Sequence, residues 1–151
     1  MNYINTLKYN NFSFGCATAA LINVFSWLGD LNKKNDSKEI DKIKKIIGEQ
    51  QFKTKAINFH KGLYKFKKDF SFFYENKPKF EDFIKHLNEG GSIILLYFDN
   101  PDSKIGHFTF LRQENGKLYN NDELIYPLFI KRLLKKSYQH NLKPEAWFIN
   151  S

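Results

Sequence analysis

The chain has 151 residues, a net charge of +8 and a single cysteine. That length suits one domain over residues 1–151, and 42% hydrophobic with 26% charged residues is the balance of a globular chain, not a disordered one. One cysteine excludes an intramolecular disulfide framework and every multi-cysteine zinc arrangement, which leaves Cys16 as buried filler or as a reactive thiol. The longest wholly apolar run, Ile93 to Phe98, is six residues and too short to cross a bilayer. The first eight residues have neither the basic nor the apolar region of a secretory leader, so a cytoplasmic protein is expected, or one exported without such a leader.

In chain order, Gly15 to Leu28 predicts a helix: Ala20, Val24, Trp27 and Leu28 keep a helical period and Gly29 ends it. Asp36 or Ser37 caps a second helix that runs through Ile47, with Gly48 as its stop. A third is expected from Lys55 to Phe66, and a short strand from Phe70 to Tyr74. Pro78 starts a fourth helix containing Phe80, Phe83, Ile84 and Leu87, which Gly90-Gly91 closes. Ser92 to Phe98 then has the unbroken apolar look of a central strand. His107 to Gln113 and Lys117 to Asn121 read as a hairpin about Asn115-Gly116. Tyr126 to Tyr138 reads as a helix and Ala146 to Ile149 as a last strand. Helices first and an antiparallel sheet after them make an α+β domain.

A thiol in the first turn of a helix feels the positive end of the helix dipole, which favours thiolate and nucleophilicity. Such a thiol needs a base, and histidine is the usual one near neutral pH. Of His60, His86, His107 and His140, only His107 opens a sheet strand, directly after Gly106, whose bare backbone leaves room for substrate. Hairpin parity selects the third member. With Asn115 and Gly116 at the turn, Thr109 faces Asp122 and His107 faces Leu124, which puts Asp122 on the His107 face as a diagonal neighbour. Asn121 falls on the other face, and Asn120 shares the His107 face farther along.

Gly15-Cys16-Ala17-Thr18-Ala19-Ala20-Leu21, Gly106-His107-Phe108-Thr109-Phe110-Leu111 and Asn120-Asn121-Asp122 together resemble the catalytic blocks of papain-like cysteine peptidases. The resemblance is nearest to the C39 or C39-like group, the bacteriocin-processing peptidases, and covers about a third of the chain. It implies a papain-like α+β fold, with an N-terminal helical part whose Cys-bearing helix packs on a C-terminal antiparallel sheet. It also implies Cys16 as nucleophile, His107 as general base and Asp122 as the acid that orients the imidazole. That family carries an oxyanion-hole Gln six residues before its Cys. Asn10 stands there in this chain, with Asn11 beside it, and the Cys16 backbone N–H would be the second donor. The Asp-Cys-Gly run common in the family is replaced by Phe14-Gly15-Cys16-Ala17.

The expected chemistry is acyl transfer through a thioester, needing no cofactor and no metal, with a peptide or protein substrate. Peptide-bond hydrolysis leads. A Cys-His-Asp deamidase or acyltransferase effector and a non-catalytic peptide-binding form of the same fold are the alternatives, with Asn120, Asn121 and Asn11 as substitute site residues. The segment Lys61 to Lys68 with Phe70 to Tyr74 interleaves cations and aromatics in the manner of a single-strand nucleic-acid surface. The lysines, however, are spread along the whole chain, including Lys42, Lys44 and Lys45 on a solvated helix face, and no nucleic-acid motif accompanies them. The charge of +8 therefore reads mostly as a lysine-rich surface, one that would also steer an acidic substrate.

Overall fold

Ten consecutive residues, Ala17 to Ser26, are buried, so the first helix lies inside the molecule. The computed structural model describes residues 3–7, 12–98, 106–139 and 142–151. Helix α1 spans Cys16–Trp27, and its small residues Ala17, Ala19 and Ala20 let it lie close against the sheet behind it. A single turn, α2 (Asn32–Asn35), leads into α3 (Ser37–Ile46), where the Asp36 side chain accepts the Lys38 N–H at 2.9 Å as an N-cap. Helix α4 (Ala56–Leu63) runs into a 3-10 turn, Tyr64–Phe66. Strand β1 (Ser71–Asn76), α5 (Phe80–Asn88), β2 (Ser92–Tyr97), β3 (His107–Glu114), β4 (Lys117–Asn120), β5 (Glu123–Ile125), α6 (Pro127–Gln139) and β6 (Glu145–Asn150) complete the chain.

The six strands form one antiparallel sheet in the order β1-β6-β2-β3-β4-β5. Every residue of β2 is buried, as its apolar run requires of a strand covered on both faces. Alternation divides the sheet's side chains between two cores. Ile94, Leu96, Phe108, Phe110, Trp147 and Ile149 face α1, α3 and α4. Ile93, Leu95, Tyr97, Leu111, Ala146 and Phe148 face α5 and α6. The α+β expectation therefore stands, with the Cys-bearing helix on the sheet. The strand expected at Phe70–Tyr74 precedes α5 as β1, and the helix expected at Tyr126–Tyr138 is α6, which covers the second face. The basic-aromatic segment divides its apolar side chains: Leu63, Phe66 and Phe70 are core residues and Phe72 is half-buried, while Tyr64, Phe73 and Tyr74 are exposed. Among the described residues no helix is long and apolar enough to cross a membrane.

The N-terminal segment is fastened to α1 by one side chain. Asn23 accepts the Ile4 N–H and donates to the Ile4 carbonyl, both at 2.8 Å, and donates to Asn121 Oδ1 at 3.0 Å. All of these groups are buried, so removing the amide leaves an N–H and a C=O without partners. Asn23→Ala should lower unfolding stability by about 3 kcal/mol with an unchanged denaturant slope, measured by urea titration.

Candidate active site

Gly15 precedes α1 and sets its geometry. A Cβ at this position would lie 2.2 Å from the Phe52 carbonyl oxygen, so only glycine fits. A glycine has no side chain with which to cap the helix it begins, and the task passes to Glu49. The Glu49 Oε1 atom accepts the Gly15 N–H at 2.7 Å and the Thr18 hydroxyl at 2.6 Å. Its Oε2 lies 3.8 Å from Lys44 Nζ, which also donates to the Ser13 carbonyl at 2.7 Å. Lys44 is therefore a tie between α3 and the approach to α1, and differs in this from the solvated role expected of it. Nothing in the local pattern around Glu49 signals the role, since its partners lie 31 and 34 residues away.

Cys16 is the first residue of α1 and half-buried. The first helical hydrogen bond is Ala19 N–H to Gly15 O, which leaves the N–H groups of Cys16 and Ala17 outside the helix ladder. Burial pushes the Cys16 thiol above the ordinary thiol range. Backbone hydrogen bonds from Phe108, Cys16 itself and Ala17 pull it partly back, and the Glu49 charge adds to the rise. The expected thiolate at a helix N-terminus is thus opposed by desolvation and by a carboxylate occupying that same terminus.

The sulfur's contact with the Phe108 backbone brings it within one residue of His107 along β3. Cys16, Gly106, His107 and Phe108 border a single cavity of about 1130 Å³. The stretch from Gln50 to Ala56 supplies much of its wall, with Leu96, Phe98 and Glu145 among the rest of the lining. Gln50 and Lys53 close a two-residue turn by reciprocal backbone bonds of 2.8 and 2.9 Å, with Gln51 and Phe52 at φ of 50° and 65°. Two successive non-glycine residues in this region cost roughly 1–2 kcal/mol each, a strain held beside the thiol. No local pattern in the sequence marks this wall. Gly106 is not the open space expected of it: a Cβ there would meet Leu96 Cδ1 at 2.5 Å and Phe98 at 2.9 Å.

His107 pairs with Tyr97 across β2 and β3, and the two rings lie 5.6 Å apart. Tyr97 belongs to the core under α5 and α6, so alternation sides His107 with that face and Phe108 with α1. His107 meets the cavity from the end of the strand. His60 and His86 are occupied in the packing. His60 Nδ1 accepts from Trp147 Nε1 at 3.0 Å, and His86 Nε2 lies 3.1 and 2.9 Å from the Ser92 and Ile149 carbonyls.

The hairpin register holds from Glu114↔Lys117 to Leu111↔Asn120 and stops there. The expected pairs Thr109–Asp122 and His107–Leu124 do not form, because Asn121 and Asp122 turn the chain into β5, which pairs back as Asn120↔Glu123. Asn121 takes φ 58°, a conformation asparagine tolerates, and its N–H donates to the Phe110 carbonyl at 2.8 Å. A second tight turn has replaced the continuation of the strand on which the parity argument relied. Asp122 Oδ2 accepts the Tyr3 N–H at 2.7 Å, and Oδ1 lies 3.5 Å from Arg112 Nη2. Asp122 does not border the cavity that Cys16 and His107 share.

The alternatives Asn120 and Asn121 are buried and structural. Asn120 Oδ1 accepts from the Thr109 hydroxyl, and Asn121 accepts from Asn23 and donates to Thr6 Oγ1 at 3.3 Å. Asn10 and Asn11, named for the oxyanion hole, lie outside the described residues. His140, weighed among the bases, does so too. The other expected oxyanion donor, the Cys16 N–H, lies outside the helix ladder at the start of α1. Among the described residues no group of three or more His, Cys, Asp or Glu side chains is placed to hold a metal ion.

The raised thiol fixes the sign of a pH dependence. Thiolate, the reactive form, accumulates only as pH rises past the ordinary thiol range, so iodoacetamide should label Cys16 slowly at neutral pH. The labelling midpoint, followed by intact mass across pH 6 to 10, should lie above that of a free thiol peptide. No protein-family model matches this chain and no curated protein matches it, so the chemistry of the site is argued from its own residues.

Proposed function

We propose that the protein is a cysteine-dependent hydrolase of the papain-like, C39-like type, acting on a peptide or amide bond. The observation that carries the reading is the convergence on one cavity of a helix-initial thiol and a strand-initial histidine. In this reading His107 takes the Cys16 proton as the sulfur attacks the substrate carbonyl, forming a thioester and, after proton return to the leaving amine, freeing the first product. Water then releases the acyl group. The thiol's upward shift favours proton transfer during attack over a preformed thiolate–imidazolium pair. The Cys16 and Ala17 N–H groups, unused by the helix ladder and next to the sulfur in the chain, suit the tetrahedral oxyanion.

The resemblance supplies Asp122 as a third member, but its carboxylate is engaged by Tyr3 and Arg112. Support from geometry is therefore for Cys16 and His107 as the working pair. A second reading, a peptide-binding domain without turnover, draws on the same thiol shift and on His107 siding with Tyr97.

A peptide panel assayed with variants separates these. Cys16→Ala should abolish turnover while retaining peptide binding, and His107→Gln should slow turnover by about 10²–10⁴. Asp122→Asn should slow it less than about tenfold, against the roughly 10⁴ expected of an orienting acid in such a triad. Binding by the parent with no turnover of any panel member would favour the second reading.

A further inference from the structure

Glu49 belongs to no part of the resemblance, yet it is the most committed carboxylate in the described molecule. Its side chain is 2% exposed, and its two oxygens reach α1 and α3. It is followed at once by Gln50, the first residue of the strained turn that walls the cavity. The Phe52 carbonyl of that turn abuts Gly15, the residue whose N–H Glu49 accepts. One carboxylate thus joins the start of the nucleophile's helix to the turn that walls the cavity.

Resting on the reading of Cys16 as the nucleophile, we propose that Glu49 is a positioning residue of the active site. It fixes the first turn of α1 against the Gln50–Lys53 turn and sets a negative charge at the terminus where the thiol sits. The two parts have one physical cause. A carboxylate accepting the N-terminal N–H of a helix stabilises that terminus, and it also cancels there the positive field that would otherwise favour thiolate. The first effect sets where the sulfur sits. The second adds to desolvation in disfavouring the resting anion, so that cleavage depends on proton transfer to His107 as the sulfur attacks.

The groups facing this pair are few. Lys44 from α3 faces Glu49, and Cys16 from α1 lies beside it. Around the cavity that the thiol borders stand His107 of β3, Glu145 of β6, and Lys53 and Lys55 of the wall. The direction of the Glu49 influence on the thiol agrees with the geometry.

Two variants move the balance in opposite senses. Glu49→Gln keeps a carbonyl oxygen for Gly15 N–H and the Thr18 hydroxyl while removing the charge. Lys44→Met removes the cation that partly offsets Glu49. Iodoacetamide labelling of Cys16 from pH 6 to 10, with thermal unfolding alongside, reads both. The Glu49→Gln midpoint should fall by about half a pH unit or more, giving about threefold faster labelling at neutral pH, with the unfolding temperature little changed. The Lys44→Met midpoint should rise. Should Glu49→Gln fail to fold, the rise in Lys44→Met carries the test. Midpoints that coincide with the parent's in every folded variant, or that move in the reverse senses, overturn the proposal. Labelling needs no substrate, so this result is separate from the turnover assays: an unmoved midpoint leaves a working hydrolase intact, and absent turnover leaves a moved midpoint as it stands.

Discussion

The approach of the Phe52 carbonyl to Gly15 governs the arrangement of the site. At that separation no side chain is admissible at position 15, so α1 begins without a cap of its own. A buried helix start with orphan N–H groups is costly, and the chain satisfies one of them with a carboxylate from the far end of α3. Burying that carboxylate in turn calls for compensation, which the Thr18 hydroxyl and Lys44 provide. Each step follows from the one before. The result is a thiol at the base of a cavity, flanked by a strained turn on one side and the first residues of β3 on the other.

The opposite edge of α1 obeys a different logic. Asn23, Thr6, Thr109, Asn120 and Asn121 form a buried hydrogen-bonded set joining the N-terminal segment, α1 and the β4–β5 turn. Satisfied polar networks of this kind rigidify and specify a unique packing. They also consume the donors and acceptors that a catalytic role would need, which is why the asparagines near the predicted acid are structural. Asp122 and Arg112 extend the same fastening to Tyr3, whose ring lies 4.2 Å from the guanidinium.

Most elements were legible in the sequence because they rest on local signals: Gly29 and Gly48 as helix stops, Asp36 as a cap, Asn115-Gly116 as a turn. The hairpin register was correct wherever the two-residue turn dictated it, from Lys117 to Asn120. It failed at Asn121, where a second reversal, carried by a left-handed asparagine, is indistinguishable in sequence from one more strand residue. Cys16 and His107 were legible because each begins an element, and element starts are readable. Glu49 and the Gln50–Lys53 turn were not. Their roles arise from contacts across some thirty residues, and no periodicity encodes a contact between a glycine and a distant carbonyl.

The thiol's environment bears on what kind of cysteine this is. A purely structural cysteine is buried in apolar surroundings and lacks polar neighbours. Cys16 has burial, but also the backbone of Phe108, Cys16 and Ala17 opposing the rise of its thiol, a carboxylate at its helix start and an open cavity beside it. Those backbone groups do little for a neutral thiol. They become strong when negative charge develops on the sulfur or on an oxygen bonded to the attacked carbon. In the proposed hydrolase, an environment that disfavours the resting anion by desolvation yet places backbone groups near a transient one would favour the attacking state over the ground state, the difference on which catalysis depends.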